Sequence, residues 1–158
     1  MDAPVLLTTV EKAAFLIEVD LFRDVPSEAL AELAARMDEG THAAGDVLLE
    51  PESADVRLWV VLEGRLRQTR VDQPPDELGR ADAFGLLALL GLPQEATVTA
   101  LEACRTLSIA PDEYLDVLAD SAAFALANLR GLGRRLRECE YGVRPPAAPS
   151  APGDGDTR

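Results

Sequence analysis

Aromatic residues make up only 4% of this 158-residue chain, so a core has to be built mainly from Leu, Val and Ala. At 47% hydrophobic residues there is enough material for one, and the length suits a single domain. Cysteine is nearly as scarce: Cys104 and Cys139 are too few for a disulfide framework and suit a reducing compartment. The single histidine, His42, has no His, Cys or Asp at ligand spacing, so a strand-edge surface position is expected for it rather than catalysis. Cations are outnumbered, 15 Lys and Arg against 28 Asp and Glu. The net charge of −13 argues against non-specific affinity for nucleic acid or anionic membranes, because both are polyanions. No run approaches the ~20 apolar residues that span a bilayer. The opening MDAPVLLTTV carries Asp where a signal peptide has Lys or Arg, and its apolar run is short. A cytoplasmic protein without membrane insertion is the expectation.

What is present is ordered in three blocks. The first forty residues read as helical. In TTVEKAAFLIEV, Val10, Ala13, Ala14 and Ile17 follow a helical spacing. LFRDVP breaks the chain, and Pro26 leads into PSEALAELAARM, whose stripe Leu30, Leu33, Ala34 and Met37 marks one buried face, with Gly40 as its stop. From Thr41 to Ile109 the period changes. Leu58, Val60 and Leu62 alternate toward one face, Glu63-Gly64 joins two strand-like runs, DQPPDELG reads as a loop, and ATVTALEACRTLSIA resumes strand character. Short strands punctuated by turns predict a compact antiparallel roll or barrel. Pro111-Asp112-Glu113 then opens a helix, with Pro and acids in the first turn. A longer helix follows Asp120-Ser121, and its Ala122, Ala125, Leu129, Leu132, Leu136 and Cys139 step by threes and fours as a seam for another helix. The tail over 142–158, rich in Pro, Ala and Gly, is expected to be disordered beyond a domain spanning 1–141.

Two opening helices, a Gly-punctuated roll, a loop with a short internal helix and two closing helices together resemble the cyclic nucleotide-binding domain family. The resemblance is carried in order by LFRDVPSEALAELA, AAGDVLLEPESADVRLWVVLEGRLR, FGLLALLGLPQEATVTA and IAPDEYLDVLADSAAFALANLRGLGRRLRE, covering about residues 10 to 140. It implies an α+β fold, a jelly-roll-like antiparallel β-roll flanked by N-terminal and C-terminal helices. It also implies that FGLLALLGLPQEATVTA is the phosphate-binding cassette.

That cassette in the family typically reads F-G-E-L/I-A-L, then P-R-A/T-A-S/T-V. Here Gly85 is followed by Leu86, Leu87 and Ala88, so Leu86 stands where the resemblance calls for the Glu that holds the ribose 2′-hydroxyl. Gln94 stands where it calls for the Arg that pairs with the cyclic phosphate, followed by Glu95, Ala96 and Thr97. Pro51 also replaces a frequent Gly upstream. Hydrogen bonds to charged groups contribute roughly 1.5–3 kcal/mol each, so losing both removes roughly 3–6 kcal/mol, about two to four decades of affinity. Glu95 adds like-charge repulsion if it faces the pocket. The N–H groups over 85–88 still favour an anion, but without a cation they are a weak substitute.

The remaining candidates take structural readings. Arg130, Arg134, Arg135 and Arg137 read as a solvated face answering the negative end of the last helix, in preference to a binding patch for an acidic partner. Trp59 reads as core or edge packing and Cys139 as a small apolar residue on the seam. GDGDTR lacks the later ligands of a calcium loop, so no metal is expected, and no cofactor either. No nucleophile–base pair is apparent, so no enzyme is expected. A DNA-reading module after the last helix is missing from this sequence, which argues against nucleic acid as a partner. The expectation is a bacterial-type regulatory or scaffolding module that does not bind cAMP or cGMP. It would act through a protein partner, including itself as a homodimer through Ala125, Leu129, Leu132 and Leu136. The alternative is a sensor that binds a cyclic nucleotide or cyclic dinucleotide in a non-standard way, drawing charge from Arg57, Arg65, Arg67, Arg70 and Arg80.

Overall fold

The change from a helical to an alternating period near residue 40 marks the point where the chain leaves its opening helices. The structure, a computed structural model, describes residues 6–141, with side chains to Glu138. The expected tail over 142–158 and the side chain of Cys139 lie outside the described residues. Thr8 and Glu11 cap α1 (Thr9–Leu16) reciprocally, each side chain meeting the other residue's backbone N–H. The face that α1 buries is not the Val10–Ile17 spacing. Val10 and Ile17 are exposed, whereas Phe15 and Leu16 enter the core. A helix this short fits more than one apolar stripe, and the one with the larger buried surface prevails.

After a 3-10 turn at Asp20–Phe22, α2 (Ser27–Arg36) buries Leu30, Leu33 and Ala34, with Met37 just past its end. Gly40 does not stop it. The chain already turns extended at Met37, and Gly40 sits inside β1 (Asp38–His42), opposite Thr106.

The roll adds β2 (Val47–Leu49), β3 (Leu58–Glu63), β4 (Leu66–Arg70), β5 (Gln73–Leu78), β6 (Ala83–Phe84), β7 (Thr97–Ala100) and β8 (Cys104–Ile109). Two antiparallel four-stranded sheets result, β1-β8-β3-β6 and β2-β7-β4-β5. The first strand pairs with the last, the second with the next to last, and so inward, as when one long hairpin wraps upon itself. The expected loop DQPPDELG is mostly β5. It is the outer strand of its sheet, where Pro74 and Pro75 need not donate to a neighbour.

Alternation along β3 serves two cores. Leu58, Val60 and Leu62 face the helices, while Val61 faces the interior of the roll with Leu66, Phe84, Val98 and Cys104. At the β3–β4 turn Gly64 has φ +94, and a Cβ there would lie 2.6 Å from Cys104 Sγ, so no larger residue fits.

The chain closes with α4 (Pro111–Asp120) and α5 (Ala122–Tyr141). Buried Tyr114 donates to Asn128 Oδ1, and Asn128 Nδ2 donates to the Phe124 carbonyl, so the polar groups between the two helices are mutually satisfied. Burial pushes the Tyr114 phenol up, keeping it a donor. Gly131 lets α5 approach the 3-10 turn, since its Cβ position is 3.4 Å from the Leu21 carbonyl. Among the described residues no helix is long and apolar enough to cross a membrane.

Candidate functional site

Phe84 ends β6, and Gly85 turns the chain with φ +90 into the short helix α3 (Leu86–Leu89). A side chain at Gly85 would collide with the Arg57 carbonyl, so this turn requires glycine. Leu86 is directed inward and buried, whereas Leu87 is half exposed. The segment returns through Gln94, Glu95 and Ala96 to β7. It encloses a cavity of about 500 Å³, within the roughly 300–1,000 Å³ range of small-ligand sites.

The floor of this cavity is apolar, formed by Leu49, Phe84, Leu86 and Ala96. Gln68 and Arg70 of β4 line one side, and Gln94 and Glu95 line another. The roof comes from α5, through Leu132, Arg135 and Leu136. Behind the floor the Trp59 ring stacks on Phe84, with centroids 6.0 Å apart.

Gln94 is engaged at both ends of its amide. Its Nε2 donates to the Glu50 carbonyl at 2.8 Å, and its Oε1 accepts from the Ala96 N–H at 2.8 Å. The side chain therefore ties the β2–β3 connection to the strand that follows the cassette. Thr97, beside it, is the first residue of β7, and its carbonyl accepts from Thr69 Oγ1.

Of the five arginines that a non-standard ligand would have to draw on, Arg70 lines the cavity. Arg57 pairs with Asp38 and Asp55, and Arg65 with Glu77 and Glu102. Arg80 pairs with Glu18 at 3.0 Å, and its guanidinium lies 4.9 Å above the Phe15 ring. Arg67 is exposed on β4 and does not line the cavity.

The solvated-face reading of the last helix holds for exposed Arg130 and Arg137 but not for their neighbours. Arg134 donates to the Asp20 carbonyl, and half-buried Arg135 reaches the cavity. Sequence reasoning grouped Arg135 with the solvated face, although its place between Leu132 and Leu136 puts all three on one helical face.

The expected seam divides. Leu132 packs toward the core, whereas Leu129 and Leu136 are 64% and 59% exposed. His42 lies on an outer strand but is half-buried. Its Nε2 pairs with Thr106 Oγ1 at 2.9 Å, and burial holds its pKa below the usual range. Among the described residues no group of three or more His, Cys, Asp or Glu is placed to hold a metal.

A family model described as cyclic nucleotide-binding domain matches residues 40–121, just over half of the chain. This chain belongs to that family. A similar solved structure is the N-terminal domain of a transcriptional regulator from Streptomyces coelicolor A3(2). It is 32% identical, with a TM-score of 0.66 over 82% of this chain and 97% of that one. The Thermus thermophilus catabolite activator protein shares the fold at 22% identity and a TM-score of 0.67, over 78% of this chain and 61% of that one. The potassium channel KOR1 of Oryza sativa subsp. japonica is 27% identical over 136 residues, which is 82% of this chain but 16% of the channel. The cyclic nucleotide-binding domain described here thus spans a small fraction of that curated relative.

Proposed function

We propose that this cyclic nucleotide-binding domain is a non-enzymatic regulatory module that no longer uses cAMP or cGMP and acts in the cytoplasm by docking to protein. The observation that carries the reading is the engagement of Gln94, whose amide is taken up by two backbone groups at the position where the family resemblance calls for a phosphate-binding Arg. Buried Leu86 offers nothing to a ribose hydroxyl, and Glu95 offsets part of the positive charge that Arg70 and Arg135 bring to the same cavity. A ligand at ~100 times its dissociation constant stabilises its protein by about 2.7 kcal/mol, several degrees in melting temperature. Micromolar cAMP or cGMP is expected to leave the melting temperature unchanged, and a clear upward shift overturns the reading.

The docking surface is the outer face of α5, and its partner is a second copy of this chain. Ala122, Leu126, Leu129, Gly133 and Leu136 alternate steps of four and three along it, with Leu126 48% and Leu129 64% open to solvent. A two-fold pairing lets one such stripe cover itself. Light scattering at micromolar concentration is expected to give the dimer mass. Leu129→Asp is expected to give a monomer that keeps its helical content. A monomeric parent protein removes the stripe from this role.

The sensor reading is favoured by one observation, the cavity itself.

A further inference from the structure

The cavity under α5 is mostly hydrocarbon, yet its charged groups do not cancel. Arg70 and Arg135 contribute two positive charges and Glu95 one negative, a local sum of +1 in a chain whose net charge is −13. Among the described residues neither arginine forms an ion pair, as is also true of Arg67, Arg130 and Arg137 outside the cavity, whereas Arg57, Arg65, Arg80 and Arg105 each pair with a carboxylate. Carboxylates outnumber cations 28 to 15 over the whole chain, so partners are not in short supply. One excess positive charge suits a single anionic group. A dianion would meet Glu95 and the field of an acidic protein.

The rest of the wall decides what that anion carries. Leu49, Phe84 and Leu86 form the floor, and Leu132 and Leu136 close from above. A sugar or another hydroxyl-rich body would lose hydration against these surfaces, where Leu86 has no polar atom and Gln68 with the remaining N–H of Gln94 could replace only part of it. A hydrocarbon chain or ring loses nothing there.

We propose that this cavity binds an apolar monocarboxylate, a fatty acid of moderate chain length, with its carboxylate held by Arg70 and Arg135 and its chain laid against Leu49, Phe84 and Leu86. Arginine suits the head group because its planar fork matches a carboxylate. The site would join β4 to α5, so occupancy would fix the helix whose adjoining face carries the exposed Leu126 and Leu129, with Leu136 at the border of the two.

This inference rests on the reading that the cassette is not a cyclic nucleotide site, and the test keeps the two apart. Trp59 is the chain's single tryptophan and stacks on Phe84 of the cavity floor, so its fluorescence reports occupancy. Octanoate, octanol, acetate and cAMP are titrated in turn, with calorimetry as the second readout. Octanoate is expected to give a saturable change below millimolar concentration and acetate none. Octanol is expected to bind at least ~10-fold more weakly, because its hydroxyl brings no negative charge and no second oxygen to the two guanidiniums. Arg70→Gln and Arg135→Gln are each expected to weaken octanoate ~10-fold or more. Arg70 is exposed on its strand, so its variant is expected to retain the parent melting temperature. Octanoate that fails to saturate, octanol that binds equally well, or arginine variants that bind octanoate like the parent would each overturn the proposal. Silence from octanoate and cAMP together removes this ligand and leaves the functional reading standing. Binding of cAMP with silence from octanoate removes both.

Discussion

The double substitution Leu86→Glu with Gln94→Arg is expected to raise cAMP affinity by about two to four decades over the parent protein. The gain follows from two restored charge-assisted pairs at roughly 1.5–3 kcal/mol each. The structure sets costs against it. Replacing Gln94 would release the Glu50 carbonyl and the Ala96 N–H from the side chain that now holds both. Glu50 is exposed, so its carbonyl finds water and that loss is at the low end of about 0.5–1.5 kcal/mol, whereas Ala96 is buried and its N–H loses more, about 1–3 kcal/mol. The introduced carboxylate would enter a site where Leu86 is only 7% exposed, so it is tolerated when a hydroxyl arrives to meet it and costs stability when none does. The double variant is therefore expected to melt below the parent without ligand and to recover with cAMP. Adding Glu95→Gln should strengthen binding further, since that carboxylate lines the same cavity. Calorimetry on parent, double and triple variants gives the series. A folded triple variant with no measurable cAMP binding would show that the cavity's shape, and not just its two anchors, has departed from a nucleotide site.

Much of the fold is written in periodicity. The α2 stripe is buried at every position assigned to it, and the alternation on β3 marks the face turned to the helices. Punctuation is less reliable. Pro74 and Pro75 suggest a loop because proline cannot pair within a sheet, but sequence alone does not show which strand will be outermost. Gly40 looks like a helix stop because a glycine beyond a helical stripe usually is one. Here the helix has already ended, and the glycine lies between His42 and Thr106 side chains.

The site is legible only as a segment. The cassette's own residues can be named, but the partner of Gln94 is 44 residues upstream and its bond depends on how the roll closes. Most of the arginines near the cassette in sequence are held by carboxylates, several of them on other elements. The cavity's second arginine comes from α5, which only tertiary packing brings over the cassette.

Replacing Arg105 by Ala is expected to remove about 3 kcal/mol of stability, a large share of the roughly 5–15 kcal/mol that holds such a domain together. Arg105 of β8 reaches two glutamates on neighbouring strands. The contact with Glu63, at 3.2 Å, involves a carboxylate that is 61% exposed and contributes little. The contact with Glu39, at 3.1 Å, is different, because that side chain is 3% exposed. Glu39 Oε1 also accepts from the Leu7 N–H, so the same carboxylate fastens the lead-in to α1 against β1. Its Oε2 has no hydrogen-bond partner among the described residues. Without the guanidinium a buried carboxylate is left with one backbone donor, and breaking such pairs costs roughly 3–5 kcal/mol. Arg105 itself is 26% exposed, which lets water in and places the loss at the lower end. Urea denaturation measures it directly, and a melting temperature lower by roughly 10 °C should accompany it. Glu39→Leu combined with Arg105→Leu is expected to recover most of the loss, because the penalty belongs to the orphaned charge rather than to the missing attraction. A single variant that loses less than ~1 kcal/mol would mean that water reaches Glu39 as soon as the arginine is gone. The α1 segment would then be held by Phe15 and Leu16 and not by this carboxylate.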